Sequence, residues 1–550
     1  MRKLKRWSLI LALSLSVLIP LAFVTDNLFE VSKNLDIFAT LYKEVNTYYV
    51  DDIDPSKFMR TGIDAMLNSL DPYTNYISEA EIEGFRFQTT GKYGGIGATI
   101  RKSGDYLAVA EPYEGFPANK AGLMAGDIIL EIDGKSTKGK TTDEASKVLK
   151  GSPGTTIKLL IQRPGDKNTM LKEFPREEIK INSVPYHGML NKEIGYIRLS
   201  QFTEQCGKDV ADAVRDLKSK NDLKGIVFDL RGNPGGLLNE AVNIVNVFID
   251  KGQMVVSTKG KVAEWDKEYK ALNEAVDTKI PVVVLVNSGS ASASEIVSGA
   301  FQDLDRGLIV GQKTYGKGLV QSTRQLSYGT QLKVTTAHYY TPSGRCIQAL
   351  DYAHRNEDGS VGKIADSLKT PFKTKVGRTV YDGGGVDPDI LLDAPKYSPI
   401  SKSLIEKNLI FDFATQYRQQ HDSIVNAKDY KLSDADWNAF QNFIKDKEYD
   451  YTTKTEDALK ALQKNAETEK YFDAIQADYD LIKNKISHDK EHDLQKNKEE
   501  LVKLLEQEIV SRYYYQNGRI MNALNNDSEI LKAIDILKDV SLYNSTLMVK

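Results

Sequence analysis

A run of alternating serines lies just past the middle of the 550-residue chain, in the segment VNSGSASASEI that begins at Val286. Its serines alternate with residues no larger than alanine and follow an apolar stretch at 282–286. Such a run could be a flexible linker, or it could hold a nucleophilic serine on a tight turn between a strand and a helix. The apolar residues on both sides favour the turn, where helix N-terminal N–H groups would suit a negatively charged oxygen.

A serine hydroxyl is a weak nucleophile until a base removes its proton. Histidine is the usual base, and three of the six histidines precede the C-terminal tail: His187, His338 and His354. Lys317 is the other candidate, because it stands between glycines and apolar residues and burial would favour its neutral form. Gln321 follows four residues later and could orient the amine. The residues alone leave both kinds of base open.

Strands and helices alternate over residues 180–345, which predicts an α/β sheet with parallel strand pairs. The predicted strands are 194–199, 225–230, 282–286, 308–310 and 332–336, and the predicted helices are about 203–219, 237–249 and 292–303. The serine run therefore lies between a strand and a helix. Within it, Ser290 and Ser294 are expected to pack or cap the turn, and Glu295 suits the first turn of the helix.

Short strands punctuated by glycine run from Gly91 to a predicted helix at 141–150 and a strand at 156–162. An ordinary glycine hairpin would explain GGIG at 94–97, but not the ordered set of segments that follows it. The whole set resembles a PDZ domain, which binds a peptide C-terminus by adding it as a strand to a sheet edge. On this resemblance Gly95, Ile96 and Gly97 form the loop that holds the terminal carboxylate.

The two ends of the chain differ in composition from the middle. Four cations precede an apolar run at 7–24, which predicts an export signal or a retained membrane anchor. No small-x-small cleavage site follows, which favours the anchor. Residues 27–85 read as helical, with a break at Asp71-Pro72. After about 395 charge rises, and leucines at helical spacing predict amphipathic helices without chemistry of their own.

Several long motifs, in one order, make the chain from about 27 to 395 similar to the C-terminal processing peptidases, also called tail-specific proteases. They are DPYTNY from Asp71, the PDZ segment, DLRGNPGG from Asp229, GSASASE from Gly289, YGKG from Tyr315 with Gln321, and YTPSG from Tyr340. The resemblance implies a crotonase/ClpP-like α/β protease core with an inserted PDZ domain, a helical N-terminal segment and a mostly helical C-terminal tail.

The same resemblance implies the roles of individual residues. Ser292 would be the nucleophile, Lys317 its base and Gln321 the residue that orients the lysine. The oxyanion hole would combine the N–H of Ala293 with one from the pair Gly235 and Gly236. The implied protein is a serine endopeptidase of the bacterial cell envelope, on the periplasmic side of the inner membrane. Its PDZ domain would bind unfolded or extended C-terminal tails, and no cofactor is expected.

The expected segments are a signal or anchor at 1–25, a helical segment at 26–88, a PDZ domain at 89–172, a protease core at 173–395 and a helical extension at 396–550. Two of them depart from the family pattern. The protease core carries a polar insertion at about 348–383, and the family motifs explain neither this insertion nor the extension. Both could restrict access, dock an adaptor or build a homo-oligomer. Lys150 also stands where many relatives carry arginine. If the cation at this position senses bound substrate, lysine would do so without a bidentate contact.

Other functions fit the sequence less well. A net charge of −3 without a basic block gives no reason to expect nucleic acid as a partner. Two cysteines cannot form a cysteine zinc site. The segment 311–318 lacks the final hydroxyl of a phosphate-binding loop. HDKEH at 488–492 matches a zinc motif, but its neighbours are those of a solvated helix.

The main non-enzyme alternative is a membrane-anchored PDZ scaffold that binds protein C-termini without cleavage. This alternative predicts the loss of Ser292 or Lys317, and the chain has both residues.

Overall fold

The computed structural model describes residues 28–220, 222–486 and 490–548. The chain divides into two compact units, and each is built from two segments of the chain. The first unit combines the residues up to Glu79 with Gln321–Thr335, and the second combines Ala80–Val320 with the residues from Thr336 onward. The predicted signal or anchor at 1–25 and the histidine at 488 lie outside the described residues. Within the described ranges, no helix is both long enough and apolar enough to span a bilayer.

The first unit begins with two helices, α1 over residues 28–48 and α2 (Pro55–Asn68), and continues into strand β1 (Asn75–Ile77). The break predicted at Asp71 is present, because its carboxylate accepts hydrogen bonds from the backbone N–H groups of Tyr73 and Thr74, each at 2.8 Å. A second break, between α1 and α2, was not predicted. It is fixed by Asp54, which caps α2 through the N–H groups of the first turn.

In the second unit, the segment predicted as a PDZ domain forms a sheet in the order β3-β4-β5-β7-β8, with β6 paired to β5. The bounds in this region are α3 (Ile82–Thr90), β2 (Lys92–Gly95), β3 (Ala98–Ser103), β4 (Tyr106–Pro112), α4 (Pro117–Lys120), β5 (Ile128–Ile132), β6 (Lys135–Ser136), α5 (Thr142–Leu149), β7 (Thr156–Gln162), β8 (Thr169–Pro175) and β9 (Glu177–Lys180). Strand β3 lies at the edge of the sheet, and β2 pairs with β9 where the chain enters and leaves the domain.

The region predicted as the protease core contains a six-stranded sheet in the order β10-β11-β12-β15-β16-β23, parallel from β11 onward. Its strands are β10 (Tyr186–Met189), β11 (Ile194–Arg198), β12 (Gly225–Asp229), β15 (Val282–Val286), β16 (Leu308–Gly311) and β23 (Ile390–Leu391). Helices α6 (Cys206–Lys220), α7 (Leu238–Asn246) and α8 (Ala293–Asp303) pack on one face. The central strands are buried throughout, as expected for a parallel sheet covered on both sides.

The other face of this sheet is covered by the end of the chain. Helices α16 (Ser528–Lys538) and α17 (Val540–Leu547) share a buried apolar cluster with strands β11, β12, β15 and β16. The hydroxyl of Tyr543 accepts a hydrogen bond from the N–H of Val282 at 3.0 Å and donates to its carbonyl at 3.1 Å. The last two helices of the C-terminal extension are therefore part of the core sandwich, which the helical pattern of the extension alone did not indicate.

In the second unit, strands β13 (Met254–Gly260) and β14 (Lys267–Lys270) pair antiparallel. The chain continues after β16 with β17 (Leu319–Gln325) and β18 (Gln331–Tyr340), and in the first unit residues 331–333 of β18 pair antiparallel with β1. Residues 332–336 do form part of a strand, but the prediction that groups them with the parallel strands is wrong. In the second unit, residues 337–340 of β18 pair antiparallel with 257–260. Most of β18 is only half-buried and its sequence is polar, unlike a strand buried on both faces.

The predicted insertion and the rest of the tail also form regular structure. Two hairpins fill the insertion, β19 (Leu350–Arg355) with β20 (Val361–Lys363) and β21 (Pro371–Lys373) with β22 (Thr379–Tyr381). The tail begins with α9 (Pro399–Glu406), α10 (Leu409–Gln420), α11 (Asp434–Ile444), α12 (Lys454–Thr468), α13 (Phe472–Ile486), α14 (Lys490–Lys496) and α15 (Lys498–Ala523). Helices α9, α10, α11 and α15 contribute to a separate apolar core.

Candidate active site

Ser292 lies where the chain passes from strand β15 to helix α8, the position that the serine run predicts. Its backbone has φ 55° and ψ −113°, a left-handed conformation that few residues other than glycine adopt. Backbone strain of this kind is common at functional sites. The turn half-exposes Ser292 and makes Ala293 the first residue of the helix.

The neighbouring serines have structural roles, as expected. The Ser290 hydroxyl donates to the carbonyl of Leu230 at 2.8 Å and accepts a hydrogen bond from the N–H of Asn287 at 3.0 Å. The Ser294 hydroxyl donates to the carbonyl of Asn233 at 2.9 Å. Both side chains therefore attach the serine turn to the loop that follows β12.

Glu295 connects the turn that carries Ser292 (the serine turn, residues 287–292) to the loop that carries Lys317 (the lysine loop, residues 312–318). Its Oε2 accepts hydrogen bonds from the N–H of Ser292 at 2.9 Å and the N–H of Lys317 at 2.8 Å. Its Oε1 accepts from the N–H of Gly316 at 2.7 Å and the hydroxyl of Thr314 at 2.5 Å. Burial raises the pKa of this carboxyl, and the four hydrogen bonds oppose that rise. One buried side chain thus fixes the backbone of both candidate dyad residues, a role that sequence reasoning missed.

The lysine loop also forms hydrogen bonds with Tyr339 and Gln348, which follow it in the chain. The N–H of Gly318 donates to Oε1 of Gln348 at 2.8 Å, and the carbonyl of Gly318 accepts from the N–H of Tyr339 at 3.0 Å. The Tyr339 hydroxyl also donates to the carbonyl of Ser292 at 3.1 Å. Lys317 itself is half-buried.

Gly235 packs directly against the serine turn. A Cβ atom on this residue would lie 2.7 Å from the carbonyl oxygen of Ala291 and 2.9 Å from the nitrogen of Ala293, so only glycine fits. Its φ of +100° also favours glycine. The DLRGNPGG loop is thereby placed beside Ser292, as the resemblance implies.

The N–H groups of the two glycines are used differently. The N–H of Gly235 donates to the side-chain oxygen of Asn233 at 2.9 Å. Gly236 forms a bridge with Phe202, whose N–H and carbonyl bond to the residues on either side of Gly236. Among the described residues, no acceptor takes the N–H of Ala293 or of Gly236. These two N–H groups could therefore serve an oxyanion.

Gln321 lies in the first unit, where its Nε2 donates to the Thr335 hydroxyl at 3.2 Å. Its predicted contact with the Lys317 amine stays a prediction. The three histidines that sequence reasoning kept as alternative bases have other partners: His187 with Asp216, His338 with Cys346 and His354 with Asp351. None of the hydrogen bonds between described residues joins them to Ser292.

Of the predicted carboxylate loop, Gly95 is the last residue of β2 and pairs with β9, whereas Ile96 and Gly97 connect β2 to the edge strand β3. The carbonyls of Ile96 and Gly97 accept hydrogen bonds from the N–H groups of Ala118 and Tyr113, each at 2.8 Å. A Cβ on Gly97 would lie 2.5 Å from the Cβ of Phe116, and its φ is +71°. The loop thus leads into an unpaired sheet edge, which is the geometry that strand addition requires.

The described residues contain no group of three or more His, Cys, Asp or Glu side chains that could hold a metal ion. Cys206 and Cys346 are both free.

Three protein-family models match the chain. Peptidase family S41 matches residues 193–353, a PDZ domain matches 109–163, and the C-terminal helical domain of a PDZ-protease matches 400–537.

Similar proteins include two curated relatives. The carboxy-terminal-processing protease of Bartonella bacilliformis is 40% identical over 333 residues, which cover 60% of this chain and 76% of the relative. A CtpA-like serine protease of Staphylococcus aureus (strain COL) is 35% identical over 413 residues, covering 72% and 75%. The solved structure of a photosystem II D1 C-terminal processing protease is 29% identical, with a TM-score of 0.35, and the match covers 65% of this chain and 92% of that one.

Proposed function

The chain belongs to the carboxy-terminal-processing proteases of peptidase family S41, and we propose that it cleaves proteins with a catalytic dyad of Ser292 and Lys317. The observation that carries this proposal is the Glu295 carboxylate, whose one oxygen accepts hydrogen bonds from the backbone of both residues. Two loops distant in sequence are thereby fixed together at a strained turn.

The Lys317 amine acts in its neutral form. It takes the proton of the Ser292 hydroxyl as the serine oxygen attacks the peptide carbonyl carbon. The resulting ammonium gives a proton to the leaving amine. The Lys317 amine, neutral again, then takes a proton from the water that attacks the acyl-enzyme. It returns this proton to the Ser292 oxygen as the ester bond breaks and the second product leaves.

The N–H groups of Ala293 and Gly236 stabilise the oxyanion in this proposal. Gly236 is preferred over Gly235, because the N–H of Gly235 already donates to Asn233. Each oxyanion donor is worth about 2.7–4 kcal/mol in the transition state. Gly235 contributes by its lack of a side chain, which lets its loop approach the serine turn.

The PDZ domain selects the substrate. An extended C-terminal tail adds as a strand to the edge of β3, and its carboxylate binds the loop of Gly95, Ile96 and Gly97. The four cations before the apolar run at 7–24 support a location on the periplasmic side of the inner membrane. Substrates would then be unfolded or extended proteins of the cell envelope.

The decisive experiment compares the wild type with Ser292→Ala and Lys317→Ala on an unfolded protein that ends in an apolar residue. We expect cleavage by the wild type alone, and slower cleavage when the substrate terminus is amidated. Cleavage by both variants at the wild-type rate would refute the dyad. Binding of the tail without cleavage by the wild type would favour the membrane-anchored PDZ scaffold.

The pH dependence tests the lysine separately. We expect the cleavage rate to rise with pH as the Lys317 amine loses its proton. A rate that stays constant from about pH 6 to 10 would contradict a lysine base.

A further inference from the structure

The N-terminus of helix α16 lies beside the loops that carry the catalytic groups. Asp527 caps this helix by accepting hydrogen bonds from the N–H groups of Glu529 and Ile530 at 3.0 and 3.2 Å. Its apolar residues pack on the core sheet, and Tyr543 of α17 binds Val282 at the start of β15. Helix α16 begins near the carboxyl ends of the strands, because its first residues contact Arg231, which follows β12, and Gln312, which follows β16. The loops that carry the catalytic groups leave the sheet at this end.

Arg231 joins this helix to the oxyanion loop, the segment 232–236. Its guanidinium donates twice to Asp229, at 3.0 and 2.7 Å, and to Asp527 at 3.1 Å. The same guanidinium forms a short ion pair with Glu529. Arg231 directly precedes Gly232, whose N–H donates to the Asn287 side chain of the serine loop at 2.8 Å. A shift of Arg231 would therefore move the oxyanion loop relative to Ser292.

Gln312 joins the same helix to the lysine loop. Its Nε2 donates to Oε1 of Glu529 at 2.5 Å and to the carbonyl of Leu392 at 3.1 Å. Its backbone N–H donates to the carbonyl of Val286, the last residue of β15, at 3.0 Å. Gln312 lies only five positions before Lys317. Glu529 thus contacts Arg231, directly before the oxyanion loop, and Gln312, the first residue of the lysine loop.

Glu529 is itself well placed for this role. It is only 3% exposed, and its two oxygens accept from different loops, Oε2 from Arg231 and Oε1 from Gln312. Buried carboxylates of this kind hold their partners in one arrangement because an unpaired partner is costly. A purely apolar helix could cover the sheet without Glu529, so the carboxylate has a purpose beyond packing.

We propose that Glu529 is a positioning residue for proteolysis, which sets the distance between the oxyanion loop and Lys317 through Arg231 and Gln312. This inference rests on the proposed function. It makes the C-terminal helical region a structural part of the active site. Removal of Glu529 should slow the chemical step and leave binding of the substrate tail unchanged.

The test uses the full-length protein and two measurements. The first is the rate at which a fluorophosphonate labels Ser292, followed by intact mass. The second is steady-state cleavage of a tail-bearing substrate, which separates kcat from KM. The variants are Glu529→Ala, Glu529→Gln, Gln312→Ala and the double variant Glu529→Ala/Gln312→Ala. Asp535→Asn, on an exposed position of the same helix, is the matched control.

For Glu529→Ala we expect labelling and kcat to fall about 10- to 100-fold, because small displacements of catalytic groups have effects of that size. KM should change less than about twofold, since the PDZ edge is untouched. Glu529→Gln keeps one acceptor and should lose less. The double variant should be no slower than Glu529→Ala alone, because both changes break the same connection. Asp535→Asn should behave as the wild type.

Wild-type labelling rates in both Glu529 variants would overturn the proposal, as would a rise in KM alone or additive losses in the double variant. If Glu529→Ala shows no cooperative unfolding transition, it is not folded and its activity cannot be interpreted. The labelling rates and KM values of Glu529→Gln and Gln312→Ala then test the proposal by the same criteria. Failure of the proposed function gives a different result. In that case Ser292→Ala would be labelled as fast as the wild type.

Discussion

The catalytic loops and the PDZ carboxylate loop both depend on glycine, but different groups hold them in place. The loops of the proposed dyad meet at Glu295, a buried carboxyl group that accepts hydrogen bonds from the serine turn and from residues 314–317. The PDZ loop is fixed locally, by backbone hydrogen bonds and by the packing of Gly97 on Phe116. Damage to the first should abolish the chemical step, whereas damage to the second should weaken substrate binding and leave the dyad intact.

Replacement of Glu295 should have the largest effect. Glu295→Ala leaves four donors without their acceptor in a buried site, which we expect to lower the free energy of unfolding by about 2–5 kcal/mol. Cleavage should fall by more than about 100-fold. Glu295→Gln keeps the volume but turns an amide NH₂ toward N–H donors, so it should be inactive as well.

Denaturant unfolding and kcat measurements would check this expectation. Glu240→Gln is the control, because Glu240 also accepts a backbone N–H, from Gly207 at 2.7 Å, but contacts neither loop of the dyad. Normal kcat in Glu295→Gln would show that the shared carboxylate does not position the dyad.

Gly235→Ala should have the next largest effect. The new Cβ would lie 2.7 Å from the carbonyl of Ala291, so either the serine turn or the oxyanion loop must move. Loss of one oxyanion donor typically lowers kcat about 10²- to 10³-fold, and we expect a loss in that range with KM little changed. Gly232→Ala is the control within the same loop, since nothing lies within 4 Å of its Cβ position. Equal losses in both variants would mean that backbone strain alone, and not the contact with the serine turn, accounts for the effect.

The sequence predicts the local parts of the site well. Apolar runs give the strands at 194–199, 225–230 and 282–286 to within a residue of their observed ends. The run of small residues after β15 places Ser292 at a strand-to-helix turn, because a tight turn excludes larger side chains. These features depend on neighbours in sequence, so a single chain is enough to reveal them.

The contacts between distant segments were not predictable in the same way. The sequence predicts that Glu295 interacts favourably with the first turn of its own helix. Its hydrogen bonds to Gly316 and Lys317 could not be predicted, because they depend on where the lysine loop lies in the fold. The apolar positions Ile530, Ala533 and Ile536 indicate a buried helix face but not which surface covers it. Likewise, the antiparallel partner of residues 337–340 is set by the sheet as a whole.

On the PDZ side, Gly97→Ala should raise KM and leave the dyad reactive. Its Cβ would collide with Phe116 at 2.5 Å and its φ is +71°, so the carboxylate loop must shift. We expect a rise in KM of about tenfold, equivalent to about 1.4 kcal/mol of binding. Fluorophosphonate labelling of Ser292 should be unchanged. Gly104→Ala, in the open turn after β3 with nothing within 4 Å, is the control. A fall in labelling rate would show that the two regions are not independent.

The smallest expected effect concerns Lys150, at the end of helix α5. Its ammonium lies 5.7 Å from the ring centre of Phe87 and 5.4 Å from that of Tyr93, so it links the PDZ helix to the segment that enters the domain. An exposed cation–π contact is worth about 0.5–1 kcal/mol. Lys150→Met should lower the free energy of unfolding by about that amount, whereas Lys150→Arg should keep it, because a guanidinium also stacks on aromatic rings. Chemical denaturation of both variants measures the difference. If Lys150→Arg instead raises kcat on a tail-bearing substrate, the cation at this position influences the catalytic loops as well, and the separation between the two regions is incomplete.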